Sequence, residues 1–451
     1  MPGADRILSP DAFPLPVISR VFFTGILAAL LPTTAGAEDW PHWRGVKRDG
    51  KSAESSKFDE GAWPLKKAAW TARVGEGSSS MLVVGGMLYT LGWKGGKDTV
   101  SCLDAANGKV IWTQSYKSPD YGRRSTGDKS MYNGPSGTPE YDSATRMLYT
   151  LSIYGLLACW NTAARGTKIW SLNLYEEYDV PQRPQVTKRP RSHRDYGYPG
   201  APFVFKDWVI VEVGDPKRGN LFAFDKRSGK LAWTSENKDH AGHTGGLSPI
   251  VVEGVPCLAV LTAHHLCVTR IDGKNAGKTV AEYRWVTDFI NNIATPAVEG
   301  NTVVITSRYN RMAVCKLAIS LRGGARKLWE TKEGASGVCS PIVHDGHVYF
   351  ASKGLYCLDG RTGETKWVQG NFDSASSLVL TGDERLIVWA NKGELALVET
   401  ARRSPDKYRE LAKPKRVMHR DAAWPHVVLA GGRLFCKDRN GEIQCFELKG
   451  R

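Results

Sequence analysis

CLDAANGKVIW, Cys102 to Trp112, decides the fold because it returns as FAFDKRSGKLAW ending at Trp233 and as CLDGRTGETKW ending at Trp367. Aligned on the closing aromatic, the copies extend to Trp112, Trp170, Trp233, Trp285, Trp329 and Trp367, with Tyr408 as a weaker seventh, at intervals of roughly 40 to 60 residues. A period in that range marks stacked units, each burying a face against the next. The opening of each unit also recurs, as SPIVVEG (Ser248 to Gly254), TPAVEG (Thr295 to Gly300) and SPIVHDG (Ser340 to Gly346), and Pro139, Pro202 and Pro425 mark further copies. Short β-branched and aromatic runs separated by turn signals predict four antiparallel strands per unit.

The D-x-x-x-G core of the repeat has the chemistry of a turn. Asp104, Asp225 and Asp359 can accept backbone N–H bonds, while Gly108, Gly229 and Gly363 tolerate positive φ. The tryptophan that follows is expected to bury its ring against the neighbouring unit, which makes the motif a structural stitch and not a catalytic one. GEIQCFELKGR supplies a third strand, Ile443 to Leu448, without a fourth, and KKAAWTARVG around Trp70 has the fourth-strand pattern without a unit before it. Pairing the two would close a ring and remove the exposed edges. The expected fold is therefore all-β: an eight-bladed β-propeller of four-stranded antiparallel blades, closed by its N- and C-terminal strands. Seven blades is the alternative, should the region from Asp373 to Val417 not form a full one.

Ahead of the repeats, Arg20 is followed by an apolar run from Val21 to Leu31 and then by Ala35-Gly36-Ala37, the pattern of a secretory signal peptide. The run is shorter than the roughly 20 residues a membrane span needs. The expected organisation is a signal peptide over 1–37, an N-terminal extension over 38–66 and the propeller over 67–451, periplasmic or otherwise exported and soluble after cleavage. The formal charge of +15 favours acidic partners, although such an excess also serves solubility.

Six of the nine cysteines, Cys102, Cys159, Cys267, Cys315, Cys357 and Cys445, fall at the third strand of different units. Separate blades hold them beyond the roughly 7 Å that a disulfide tolerates between Cα atoms, so free buried thiols are expected. Cys257, Cys339 and Cys436 lie elsewhere, and pairing among them stays open. No C-x-x-C, H-E-x-x-H, G-x-S-x-G or Walker sequence appears. His264 and His265 are adjacent, which on a strand would point them to opposite faces and argues against zinc.

The stitches resemble the repeats of quinoprotein (PQQ-type) β-propellers, and DWPHWRG, Asp39 to Gly45, resembles the opening of exported PQQ-like repeat proteins of bacteria. The resemblance runs from about Asp39 to the end and speaks for fold more than for activity. A four-stranded propeller gathers its blade-to-blade connections on one face, and here the longest of them carry basic residues. Arg123, Arg124 and Lys129 lie in one, Arg183, Lys188, Arg189, Arg191, His193 and Arg194 in the second, and Lys413, Lys415, Arg416, His419 and Arg420 in the last. Tyr132, Asn133, Arg194, Asp195, Tyr196, Tyr198, His243, Asn291, Asn292, Arg420 and Asp421 are the candidates to line that basic mouth.

Two functions follow from the resemblance. One is a non-catalytic, BamB-like binding or scaffold module, monomeric, taking a protein, an acidic small molecule or a polysaccharide at the mouth, without nucleic acid and without a cofactor. The alternative is a dehydrogenase-like quinoprotein that oxidises alcohols or sugars with PQQ and Ca²⁺. The vicinal cysteine pair of alcohol-oxidising members is missing from the sequence, and so is the lipid-accepting cysteine of BamB-like members.

Overall fold

The run from Leu82 to Lys117 shows how the sequence builds a blade. Its strands are Leu82–Val84, Met87–Lys94, Lys97–Asp104 and Val110–Lys117, each antiparallel to the one before. Gly85-Gly86 and Gly95-Gly96, all at positive φ, form the two tight hairpins. The second and third strands are nearly continuous in buried residues because neighbouring blades cover both of their faces. The computed structural model describes residues 38–59, 62–63, 65, 67–118, 134–180, 197–373, 375–390, 393–412, 416–418 and 423–448, all within one unit spanning 35–451.

The pattern repeats to give eight four-stranded sheets. Ser377–Leu380, Arg385–Ala390, Glu394–Glu399 and Glu410–Ala412 form a complete seventh blade, which makes the count eight. In the eighth, Trp70–Arg73 pairs with Glu442–Glu447, followed inward by Arg433–Lys437 and Val428–Ala430. Trp70 lies opposite Cys445, so the N-terminal strand closes the ring as its sequence pattern predicts.

The register explains the repeat. Across the second, third and fourth strands run the rows Tyr89–Cys102–Trp112, Tyr149–Cys159–Trp170 and Tyr349–Cys357–Trp367, and Phe435–Cys445–Trp70 completes the same row in the closing blade. All nine cysteines are free and buried, and burial pushes the Cys102 thiol up to about 12. The indole N–H groups of Trp70, Trp170 and Trp329 donate to the carbonyls of Ala105, Lys226 and Gly360, in each case the residue after the turn aspartate of the next blade. A Cβ on Gly108, Gly229 or Gly363 would lie 2.5, 2.8 or 2.6 Å from the ring of that same tryptophan. These positions are glycine for two reasons, positive φ and ring contact.

Two aromatics of the periodic series depart from it. Trp285 lies one residue beyond its strand, Thr279–Arg284, and the bulge at Val268/Thr269 sets Ala281 at the position that tryptophan holds elsewhere. Its indole donates to Ser307 Oγ instead, 3.0 Å away. Tyr408 precedes its strand, Ala412 takes the equivalent place, and the ring packs edge-on against Trp367. Alignment on an aromatic finds these residues but not the bulge that fixes register.

The extension over 38–63 crosses the inner strands. Trp40 forms a bridge with Val83, Arg48 binds Glu140 through both guanidinium nitrogens, Arg44 Nη2 donates to Pro341 O (2.6 Å), and Ser52 N donates to Leu380 O (2.9 Å). Glu54 accepts the N–H groups of Gly431 and Gly432 at 2.7 and 2.8 Å. Asp39 and Glu54 meet the first hairpin turns at Gly85 and Gly431-Gly432, so the extension caps the end of the axis opposite the blade-to-blade connections.

Candidate functional site

Every blade sends the residues just ahead of its inner strand to the axis, and there they line a pit of about 850 Å³, counting the space open to solvent. Ser78, Ser136, Pro199, His243, Asn291, Ser340, Ser377 and His426 come from the eight successive blade openings. Trp43 enters the pit from the extension. Its Nε1 donates to Thr295 Oγ1 at 3.0 Å, its ring meets His426 edge-on at 5.4 Å, and side chains at 245 and 246 would strike it at 2.8 and 2.5 Å, which requires the Gly245-Gly246 pair. Trp424, Ile293 and Val338 add the remaining apolar wall.

Hydroxyl, amide and imidazole groups make up the polar part of this lining. His426 Nδ1 stands 2.6 Å from Val427 O, and since a carbonyl only accepts, Nδ1 carries the proton and Nε2 is left as an acceptor. Burial, with the Arg44 guanidinium nearby, pushes this imidazole down to about 3. Ser340 Oγ and Ser377 Oγ accept the N–H groups of Thr295 and Val427 at 3.0 Å each, which leaves their own O–H groups to donate. Asn291 Oδ1 pairs with His243 Nδ1 at 3.3 Å. No Lys, Arg, Asp or Glu is among the described residues of the lining. A quinone of the PQQ type brings carboxylates, for which these residues supply no counter-charge, so the described lining does not fit it.

Of the residues expected at the mouth, His243 and Asn291 reach the pit. Tyr198 does not: it is buried between blades, 5.3 Å from the Tyr175 ring. Asn292, one residue from Asn291, is turned inward, its Nδ2 donating to the carbonyls of Thr262, Ala263 and Trp285 and its Oδ1 accepting from Thr287 and Ser307. Tyr132, Asn133, Arg194, Asp195, Tyr196, Arg420 and Asp421 lie outside the described residues, as do the other basic residues of those connections except Arg416, which is exposed beside Glu394. Trp43, Trp424, His426 and the serines were not among the expected residues. The signal for the serines was the small residue before each opening strand, and for Trp43 the aromatics of DWPHWRG; Trp424 and His426 stand in a second W-P-H, at 424–426.

His264 and His265 differ from the strand expectation. His264 sits at the turn before His265–Arg270 and His265 opens that strand, and both bring Nδ1 to the Asp239 carboxylate, at 2.6 and 3.0 Å. Burial works to raise the Asp239 carboxyl, but the bonds from His264, Thr262 and His265 outweigh it and hold it well below the usual carboxylate range. Among the described residues no group of three or more His, Cys, Asp or Glu side chains is placed to hold a metal ion.

A family profile described as outer membrane protein assembly factor BamB matches residues 96–369, well over half of the chain. The dehydrogenase subunit of the quinone-type alcohol dehydrogenase of Gluconobacter oxydans (strain 621H) is 30% identical over 176 residues, 37% of this chain but only 20% of that relative's length. BamB from Moraxella catarrhalis superposes with a TM-score of 0.58 at 12% identity, covering 85% of this chain and 99% of that one. Quinohemoprotein alcohol dehydrogenase from Comamonas testosteroni gives 0.64 at 14% identity, covering 93% and 82%. At such identities the structural likeness carries the fold alone.

Proposed function

The chain belongs to the family of the outer membrane protein assembly factor BamB, and from that premise we propose that it is an exported, non-catalytic binding module whose ligand site is the axial mouth. The observation that carries this reading is the pit itself, floored by the Trp43 indole and lined by hydroxyl, amide and imidazole groups. Such a lining binds and orients, and none of its described residues is an acid–base pair poised for proton transfer. The formal charge of +15 would draw acidic partners toward the molecule, while the pit selects what enters. No helix among the described residues is long and apolar enough to cross a membrane.

The quinoprotein reading is favoured by the partial match to quinone-type alcohol dehydrogenase. It is opposed by a pit with no Lys, Arg, Asp or Glu among its described residues and by the lack of a Cys-Cys pair. Dye-linked oxidation of alcohols and sugars by the purified protein, supplied with PQQ and Ca²⁺, decides between the two. The binding-module reading expects no turnover above the protein-free control; sustained turnover would reject it.

A further inference from the structure

Resting on the binding-module reading, we propose that the pit takes the end unit of a neutral saccharide. The donors and acceptors facing the pit are many and held in place, and no Lys, Arg, Asp or Glu is among the described ones. Ser340 and Ser377 each keep an O–H to donate because their lone pairs already hold a backbone N–H. The Nδ2 of Asn291 has no partner among the described residues, since only its Oδ1 is engaged. Ser78 and Ser136 line the same wall, and His426 presents an acceptor nitrogen fixed by its bond to Val427 O.

An anion entering this lining would shed water without meeting a cationic side chain among its described residues, since the nearby Arg44 turns its Nη2 to the carbonyls of Asp49 and Pro341, and burying a charge without a direct partner is strongly unfavourable. A purely apolar ligand would leave the hydroxyls and the Asn291 amide without partners. The indoles of Trp43 and Trp424 add flat apolar surface beside those polar groups. A sugar ring meets both demands at once, with C–H groups for the indoles and several hydroxyls that donate and accept. Trp43 suits the role of floor because its ring is already fixed by Thr295, His426 and the Gly245-Gly246 pair, so little side-chain freedom is lost on binding.

The test is calorimetric titration of the full chain with glucose, N-acetylglucosamine and a neutral trisaccharide of each, against glucuronate and a neutral tripeptide, in 0.1 M and 1 M NaCl. Saturable one-to-one binding of a neutral saccharide is expected, with affinity changing less than about twofold between the two salt concentrations, because no ion pair is involved. Trp424→Ala should weaken it by about tenfold or more. Ser377→Thr, which keeps the hydroxyl, should retain more affinity than Ser377→Ala, and unchanged melting temperatures would verify that each variant folds. Binding of the tripeptide alone, preference for glucuronate with steep salt dependence, or no saccharide binding at millimolar concentration would overturn the saccharide assignment while leaving a binding module in place. PQQ-dependent turnover would instead overturn the module reading itself.

Discussion

Gly108 shows how a single missing carbon controls a blade seam. A methyl there would stand 2.5 Å from the Trp70 ring at φ +73, whereas Gly300, at φ +58, faces open space. Gly108→Ala should therefore cost about 2–4 kcal/mol in chemical denaturation, combining overpacking with left-handed strain. Gly300→Ala should cost only about 1 kcal/mol, from the strain alone. Equal losses would mean that the ring contact contributes nothing. His426 makes a prediction in pH. Its folded value of about 3 lies below the ordinary 6.5, so between those limits the unfolded chain takes up a proton that the folded chain refuses. Its contribution to stability is complete above pH 6.5 and is lost as pH falls toward 3. The carboxyls of Asp239 and Glu140, held below 3.8 and 4.5, add their own losses only at more acidic pH. Melting temperature should fall from pH 6.5 to about 4.5, and His426→Gln should flatten that slope; an unchanged slope would contradict the neutral imidazole.

Among the elements, the extension and the closing strand carry the most structure per residue. Arg48 holds the fully buried Glu140 carboxylate, which His42 also approaches at 3.0 Å. Arg48→Met should destabilise by about 3–5 kcal/mol, since it leaves a buried charge without its main partner. Adding Glu140→Gln should recover part of that loss, and additivity of the two losses would contradict the pairing. Removing residues 38–74 should unfold the eighth blade and promote aggregation through the bared edge of Glu442–Glu447, readable by light scattering. The blades were legible because turn chemistry and short β-rich runs are local and repeat visibly, and the closure because the partial units at the two ends complete one another. The cap was not, because Arg44 meets Pro341 and Ser52 meets Leu380, partners some 300 residues away that no periodicity connects. In the pit, position ahead of an inner strand was readable, and His243 and Asn291 stand at such positions. Side-chain direction was not: Asn291 and Asn292 differ by one residue and face opposite surroundings. The serines were readable only as strand openings, since a small residue serves tight chain entry and ligand access alike.

For the molecule as a whole, eight blades around one axis set the proposed binding site apart from the seams that carry stability. Six cysteines occupy third strands of six different blades, so the nine free thiols should be silent toward a thiol reagent in the folded protein and all react once it is denatured without reductant. The recognition site proposed here lies on the axis, where each blade contributes one or two side chains and the extension contributes the floor. The most direct measurement of the central claim, that this axis binds without carrying a quinone, is equilibrium dialysis of the full chain against PQQ and Ca²⁺ at 0.1 M and 1 M salt. Weak, substoichiometric uptake is predicted, held by the net positive charge of the chain and lost as the screening length shrinks from about 10 Å to about 3 Å. Stoichiometric binding that survives 1 M salt and is abolished by His243→Ala or Asn291→Ala would contradict it.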